Sequence, residues 1–297
     1  MSRPIFCFGE VLWDILPHGR FLGGAPLNVA YHLRRLGNDA RLISAVGRDE
    51  TGGEALTRIE AAGVDPSLIS QHPSLPTGSV TATLDTAGQA SYEIHHPVAW
   101  DEIAAHPKMT APLKPAAIVF GSLALRGEAN RDRLSEWLAL EPKIRLCDLN
   151  LRPPYDDVRA LDRWVRGCTI LKVNEDEARK LSPETLDAAE TEAHAAHLAV
   201  HYACENVCVT LGEKGALLWR QGEVFRAESP RVTVRDTIGA GDAFTAALLD
   251  GVIRGGTNID WAAVLRRACV LGAFVAGKDG AQPVYDPTEV PGLRASA

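Results

Sequence analysis

Short, strongly apolar runs alternate with longer amphipathic stretches along most of the chain. Residues 4–9, 40–46, 116–121, 144–148, 169–173 and 206–210 read as buried strands, several ending in Gly, Asp or Thr. Between them, 28–36, 54–62, 131–140, 158–166, 175–181 and 184–203 carry helical spacing. This rhythm predicts an α/β fold, a mostly parallel sheet sandwiched by helices. Ligands of such sheets gather at the carboxyl ends of the strands, which singles out Asp148, Asn150, Asn174 and Thr210.

Two regions break the rhythm. Residues 79–84 and 90–95 alternate in strand fashion around Asp85-Thr86-Ala87-Gly88-Gln89, a predicted hairpin, and 11–16 and 20–22 are extended too. They are read as a small β-lid, with segments at about 11–23 and 78–97 inserted in a single domain spanning 1–297. A later hairpin, 216–220 with 223–227, turns at Gln221-Gly222, and the tail after Pro287 looks irregular.

The bulk numbers narrow the partners. A chain of 297 residues buries a full core, and 46% hydrophobic residues with a mean hydropathy of -0.06 describe a globular protein. A formal charge of -7 argues against nucleic acid or an anionic membrane as partner, while leaving room for a local anion site. The scattered cysteines, Cys7, Cys147, Cys168, Cys204, Cys208 and Cys269, form no CxxC pair, so reduced thiols and a cytoplasmic setting are expected. Glu10 and Asp14 interrupt the first apolar run, against a signal peptide, and no segment approaches the ~18 apolar residues of a membrane span.

The most informative stretch is Asp236-Thr237-Ile238-Gly239-Ala240-Gly241-Asp242, leading into a helical run from Ala243. Small residues before a helix can aim backbone N–H groups and the positive helix end at an anion, with Asp242 placed to take a proton from a hydroxyl. That is equipment for phosphoryl transfer to an alcohol; a capped helix after a Gly-rich turn is the plainer alternative. Upstream, Gly23-Gly24-Ala25-Pro26-Leu27-Asn28 precedes a helix, with Asn28 either meeting ligand hydroxyls or capping that helix. Other patterns are set aside. Gly272 to Lys278 mimics a P-loop but is followed by Asp279 and lies in a helical run. His194, His197, His201, Cys204 and Cys208 spread over too many turns to meet at one zinc ion.

Both glycine-rich stretches carry a resemblance. Gly23-Gly24-Ala25-Pro26-x-Asn28-x-Ala30 with Gly37 and Gly47, and Asp236 to Asp242 followed by Ala246-Ala247-Leu248-Leu249, resemble the two signatures of the PfkB (ribokinase-like) carbohydrate kinases. The resemblance runs from about Ile5 to Pro287 and implies a three-layer α/β/α sandwich with a small β-lid. It implies Asp242 as general base and the amides of Gly239, Ala240 and Gly241 as anion hole. Asp14, Gly23, Gly24, Asn28 and Arg152 would bind sugar; Asn174, Glu177, Thr210, Gly212 and Gly215 would serve ATP. Mg²⁺ would be organised by Glu177 through water, and Asp236 stands where relatives bind K⁺, although Val284 lacks the hydroxyl found in ribokinase. Independently of the resemblance, an exposed β-lid could pair with its twin to make a homodimer, and the sequence leaves this open.

Gly9-Glu10-Val11-Leu12-Trp13-Asp14, His96-Pro97-Val98-Ala99-Trp100-Asp101 and Cys147-Asp148-Leu149-Asn150-Leu151-Arg152 are similar to bacterial fructokinases. They make D-fructose to D-fructose 6-phosphate the lead reaction, with ribose, 2-keto-3-deoxygluconate or a nucleoside as alternative acceptors. A non-catalytic sugar-binding protein is the reading from another class. Leu125, where close relatives carry a polar residue, is expected to alter the sugar pocket, and Ile238 replaces a threonine. Asp148, Asn150 and Arg152 either reach ligand or brace their loop, and His95-His96 either touch substrate or face solvent.

Overall fold

A computed structural model describes residues 3–16, 19–84, 90–105, 114–187 and 190–293. The predicted hairpin turn at 85–89 lies outside the described residues. Nine strands form the main sheet: β1 (Ile5–Phe8), β4 (Ala40–Gly47), β5 (Ile69–His72), β8 (Ala117–Phe120), β9 (Ile144–Asp148), β10 (Ile170–Asn174), β11 (Asn206–Thr210), β12 (Ala216–Arg220) and β13 (Glu223–Ala227). Their order is β13-β12-β11-β10-β9-β8-β1-β4-β5, parallel throughout except for the β11-β12-β13 meander. Strand β5 is one the apolar pattern did not reveal. Its run Ile-Ser-Gln-His is mostly polar, as an edge strand beside β4 allows.

Strand side chains alternate between two cores. Ile5 and Cys7 of β1 enter one, while Phe6 and Phe8 enter the other. The first core is closed by α1 (Ala25–Arg35), α2 (Glu50–Ala61), α7 (Ala240–Gly255) and α8 (Trp261–Ala276). The second is closed by α3 (Glu128–Leu138), the short α4 (Asp162–Val165) and α5 (Glu175–Lys180), and α6 (Thr191–His201). Helices on both faces of a largely parallel sheet make the expected three layers.

Two predicted helices shrink. Only 191–201 of 184–203 is helical, and 158–166 is a single 3₁₀ turn followed by one α turn. Pro183 and the polar run after it place no apolar stripe on the core, so propensity alone does not carry the helix that far. Helix α1 begins three residues earlier than the spacing suggested, with Pro26 in its first turn, where its missing N–H costs nothing.

A second sheet of four strands holds β2 (Leu12–Leu16), β3 (Gly19–Gly23), β6 (Gly78–Leu84) and β7 (Ala90–Ile94), ordered β3-β2-β6-β7. The parallel pairing of β2 with β6 joins the two chain segments read as a lid. Its junction with the main body is fixed by Asp101, whose carboxylate takes two bonds from Arg126 (2.7 and 2.8 Å) and one from the Val98 amide (2.9 Å). Arg126 is buried, lies over the Trp100 and Tyr155 rings, and donates to the His95 carbonyl at 2.9 Å.

This ion pair generates the first prediction. Asp101→Ala strands a buried guanidinium and should cost about 3–5 kcal/mol. Asp39→Ala, which breaks a half-exposed pair with Arg41, should cost no more than about 1 kcal/mol. Urea unfolding of the two variants side by side measures both.

Candidate active site

The carboxyl ends of β1, β8, β9 and β10 converge where the chain leaves β1 in both directions across the sheet, toward β4 and toward β8. Helices α1 and α7 both start above this point. Gly24 precedes α1 at φ +119°, and a methyl group there would overlap the Glu10 carbonyl oxygen, so only glycine lets the helix start sit against the β1 turn. Gly239 precedes α7 at φ +78°, packed against Ala281, where a Cβ would likewise overlap.

Two cavities open on this edge. The smaller, about 690 Å³, is lined by Glu10, Asp14, Gly24, Asn28, Asn150, Arg152, Lys172 and Asp242, and by the apolar lid residues Leu12, Val80 and Ile94. The larger, about 950 Å³, is lined by Thr210, Gly212, Gly215, Val232, Val234, Phe244 and the Gly272–Ala273 stretch of α8. They share Thr237 and Gly241, so the glycine turn forms the wall between them.

At this wall Asp242, in the first turn of α7, accepts a hydrogen bond of 2.8 Å from Asn28 Nδ2. Among the described residues the amides of Gly239, Gly241 and Asp242 meet no acceptor, whereas the Ala240 amide donates to the Thr237 carbonyl (3.3 Å). The open donors therefore differ by one from the expected trio. A helix start lowers a carboxylate's proton affinity. Burial outweighs it: desolvation, then the charge of Asp148, push Asp242 up to about 6, against the pull of Asn28, Lys172 and Arg152.

Lys172 is the functional residue that sequence reasoning missed. It stands mid-strand in β10, directly across from Asp148 of β9, and its Nζ lies 2.9 and 3.0 Å from the two Asp148 oxygens. Thr245 Oγ of α7 donates to the same carboxylate at 2.7 Å. Burial opposes the ammonium charge, but the Asp148 carboxylate more than offsets this and holds its proton affinity above the ordinary lysine value. A lone lysine within the apolar run Ile170-Leu171-Lys172-Val173 was the available signal. A buried strand cation needs a reason, and its partner ends the neighbouring strand.

The remaining candidates divide. Asp14 faces the smaller cavity, its carboxyl pushed by burial up to about 6 despite Arg152. Gly23 lies beside Asp14 and lines neither cavity. Arg152 reaches the smaller cavity and, among the described residues, donates only to the Leu151 carbonyl (3.1 Å), with Glu10, Asp14 and Asp242 all within its field. Burial lifts Glu10 to about 7; one of its oxygens accepts the Ala25 amide (3.2 Å) and the other has no partner among the described residues.

Thr210, Gly212 and Gly215 line the larger cavity. Asn174 and Glu177 line neither: each carboxylate oxygen of Glu177 accepts a backbone amide, from Leu151 (2.6 Å) and Asn174 (2.9 Å), while Asn174 Oδ1 caps α5. Asp236 pins its own turn, accepting from Ile238 N (2.9 Å) and Gly280 N (3.3 Å). Leu125 is buried in the second core and does not line the smaller cavity; Gly121, Ser122 and Leu123 do so instead, which removes it as a pocket determinant. Asp148 and His95 are likewise committed inward, to Lys172 and to Thr81 Oγ (2.9 Å).

Known proteins resemble this chain in sequence and fold. The description "pfkB family carbohydrate kinase" matches residues 18–288. The chain is 29% identical over 301 residues to a fructokinase of Klebsiella pneumoniae, covering 95% of each. It is 30% identical to a fructokinase of Rhizobium leguminosarum bv. trifolii, covering 82% of this chain and 78% of that one. Among solved structures, an uncharacterised sugar kinase from Pyrococcus horikoshii in complex with ATP superposes with TM-score 0.80 at 25% identity, covering 94% of each chain. A fructokinase of Xylella fastidiosa with bound ATP gives TM-score 0.81 at 23% identity over 95% of this chain and 94% of that one, a likeness of fold. Among the described residues no helix is long and apolar enough to cross a membrane.

Asp242 generates a prediction about stability. Its folded-state proton affinity exceeds that of an unfolded aspartate, so its contribution is favourable at low pH and is lost as pH rises from about 4 through about 6. Asp242→Asn removes the buried charge and should stabilise the fold by up to about 2 kcal/mol at pH 8. The gain should shrink toward zero near pH 4; urea midpoints at the two pH values measure it.

Proposed function

The chain belongs to the pfkB family of carbohydrate kinases, and we propose that it transfers the γ-phosphoryl group of ATP to a primary hydroxyl of D-fructose. The observation that carries this reading is the position of Asp242, at the wall between a sugar-sized cavity lined by hydroxyl-binding groups and a longer one beside the open amides. The acceptor would lie in the smaller cavity, held by Asp14, Asn28 and Arg152. The nucleotide would lie in the larger, its phosphates toward Gly241 and its base toward Val232, Val234 and Phe244.

Asp242 takes the hydroxyl proton as that oxygen attacks the γ-phosphorus, and the bond from phosphorus to the β-phosphate oxygen breaks to release ADP. The amides of Gly241 and Asp242, together with the Lys172 ammonium, meet the charge that gathers on the transferred group. A base with proton affinity near 6 is ionised at neutral pH yet keeps useful basicity. Among the described residues no group of three or more His, Cys, Asp or Glu side chains could hold a metal ion. Mg²⁺ would arrive with the nucleotide and would supply positive charge against its phosphates.

A second acceptor reading rests on Arg152. A cation reaching this cavity with no ion-pair partner within 4 Å among the described residues suits an acidic sugar such as 2-keto-3-deoxygluconate. ADP release with Mg-ATP across fructose, 2-keto-3-deoxygluconate, ribose, glucose and adenosine separates the two. Fructose-dependent turnover is the expected result, with kcat rising with pH through about 6 as Asp242 ionises. Asp242→Asn should lower kcat by about 10³-fold or more, and Lys172→Met by about 10²-fold. Preference for the acid sugar, lost in Arg152→Gln, would move the acceptor and keep the mechanism. No turnover with any acceptor would remove the kinase reading.

A further inference from the structure

The segment that follows α8 crosses back over the starts of α1 and α7. Gly280 donates to Asp236, Ala281 packs on Gly239, and the Pro283 carbonyl accepts from the Tyr31 hydroxyl at 2.7 Å. Buried His32 joins it on the other side, its Nε2 3.0 Å from the Ala281 carbonyl and its Nδ1 3.0 Å from the Tyr285 hydroxyl. A carbonyl only accepts, so Nε2 carries the hydrogen, and Nδ1 accepts from Tyr285. Every contact in this set holds the backbone of 280–285 at a fixed height above α1.

From that frame Gln282 Nε2 donates to Asn28 Oδ1 at 2.8 Å, and Asn28 Nδ2 donates to Asp242 Oδ2 at 2.8 Å. The polarity of this line is not free. An ionised carboxylate only accepts, so Asn28 turns its amino group to Asp242 and its oxygen away, and Gln282 must then offer its own amino group. The Asn28 amide therefore has one orientation that satisfies both neighbours.

We propose that Gln282 is a positioning residue: it locks the Asn28 amide so that Asn28 presents a hydrogen-bond donor, never its oxygen, to Asp242. The proposal rests on the reading of Asp242 as the base. Without the Gln282 donor, a flip of Asn28 places an acceptor oxygen against the carboxylate, which favours its protonated form. The charged groups facing Asp242 come from other elements: Glu10 after β1, Asp148 and Arg152 at the end of β9, and Lys172 on β10. Replacing Gln282 by Met therefore alters the donor and no charge.

The test is a pH titration of the Asp242 side-chain carboxyl by ¹³C NMR, paired with kcat against pH, in wild type, Gln282→Met, Asn28→Ala and the double variant. Losing one hydrogen bond to the ionised form should move the Asp242 titration and the acid limb of kcat upward together by about half to one pH unit. That is a loss of about 3- to 10-fold in kcat at acid pH, with alkaline kcat little changed. In the Asn28→Ala background the Met substitution should add nothing. An unmoved titration in Gln282→Met, or an equal shift with and without Asn28, overturns the proposal. Should the Met variant fail to fold, Gln282→Ala removes the donor without adding charge, and its titration must also rise. The NMR readout stands without turnover, so an inactive wild type would remove the kinase reading and leave this inference testable.

Discussion

A single hydrogen bond of 2.8 Å ties Asn28 to Asp242 across 214 residues of chain, and the site depends on it. It can form only if α1 and α7 start side by side at the carboxyl edge of the sheet. That requires both helices to pack on the same face and to enter through turns without side chains in the way, Gly24 and Gly239. The Asn28 amide does in this line what a solvent molecule would do for an exposed carboxylate, but it does so from one fixed direction. A base held by a rigid donor needs no reorganisation when its charge changes, which is the property a transferring group demands.

The same edge concentrates charge that folding alone would avoid. Glu10, Asp14 and Asp242 are all pushed upward by burial, and the cations among them are Arg152 and Lys172. Lys172 is already neutralised by Asp148, so the pair contributes little net field while anchoring β9, β10 and, through Thr245, α7. On the proposed reading an arriving polyphosphate would change that balance, since its oxygens could share the ammonium that Asp148 now holds, and its binding would stabilise the fold.

The frame of this arrangement was legible in the chain. Six strands and the glycine turns announced themselves because apolar runs between punctuating residues depend on local sequence. The glycines at 24 and 239 could be read because a backbone conformation excludes every other residue. What escaped was set by partners far away. Glu177 looked like a phosphate or metal residue and instead spends both oxygens on backbone amides from two elements. Leu125 looked like a pocket residue, yet its 3₁₀ turn points it into the second core. Lys172 and Gln282 looked ordinary, because their meaning lies in the register of β9 with β10 and in the return of the chain after α8.

The division between what the sequence told plainly and what it did not follows the division of labour in the fold. The glycine turns, the Asp242 carboxylate and the open amides sit on the main sheet edge and on helix starts, where backbone geometry constrains them. On the proposed reading, acceptor choice would fall to side chains of the second sheet and the loops after β8 and β9, namely Leu12, Val80, Ile94, Leu123 and Arg152. The bonds that pair β2 with β6 are made by backbone alone, so Leu12 and Val80 are free to differ without breaking that ladder. Among the described residues, Arg152 is the cation of the smaller cavity that stands outside an ion pair, beside three carboxyls raised by burial. On the proposed reading these charges would narrow the acceptor, while the apolar lid strands would narrow it by shape.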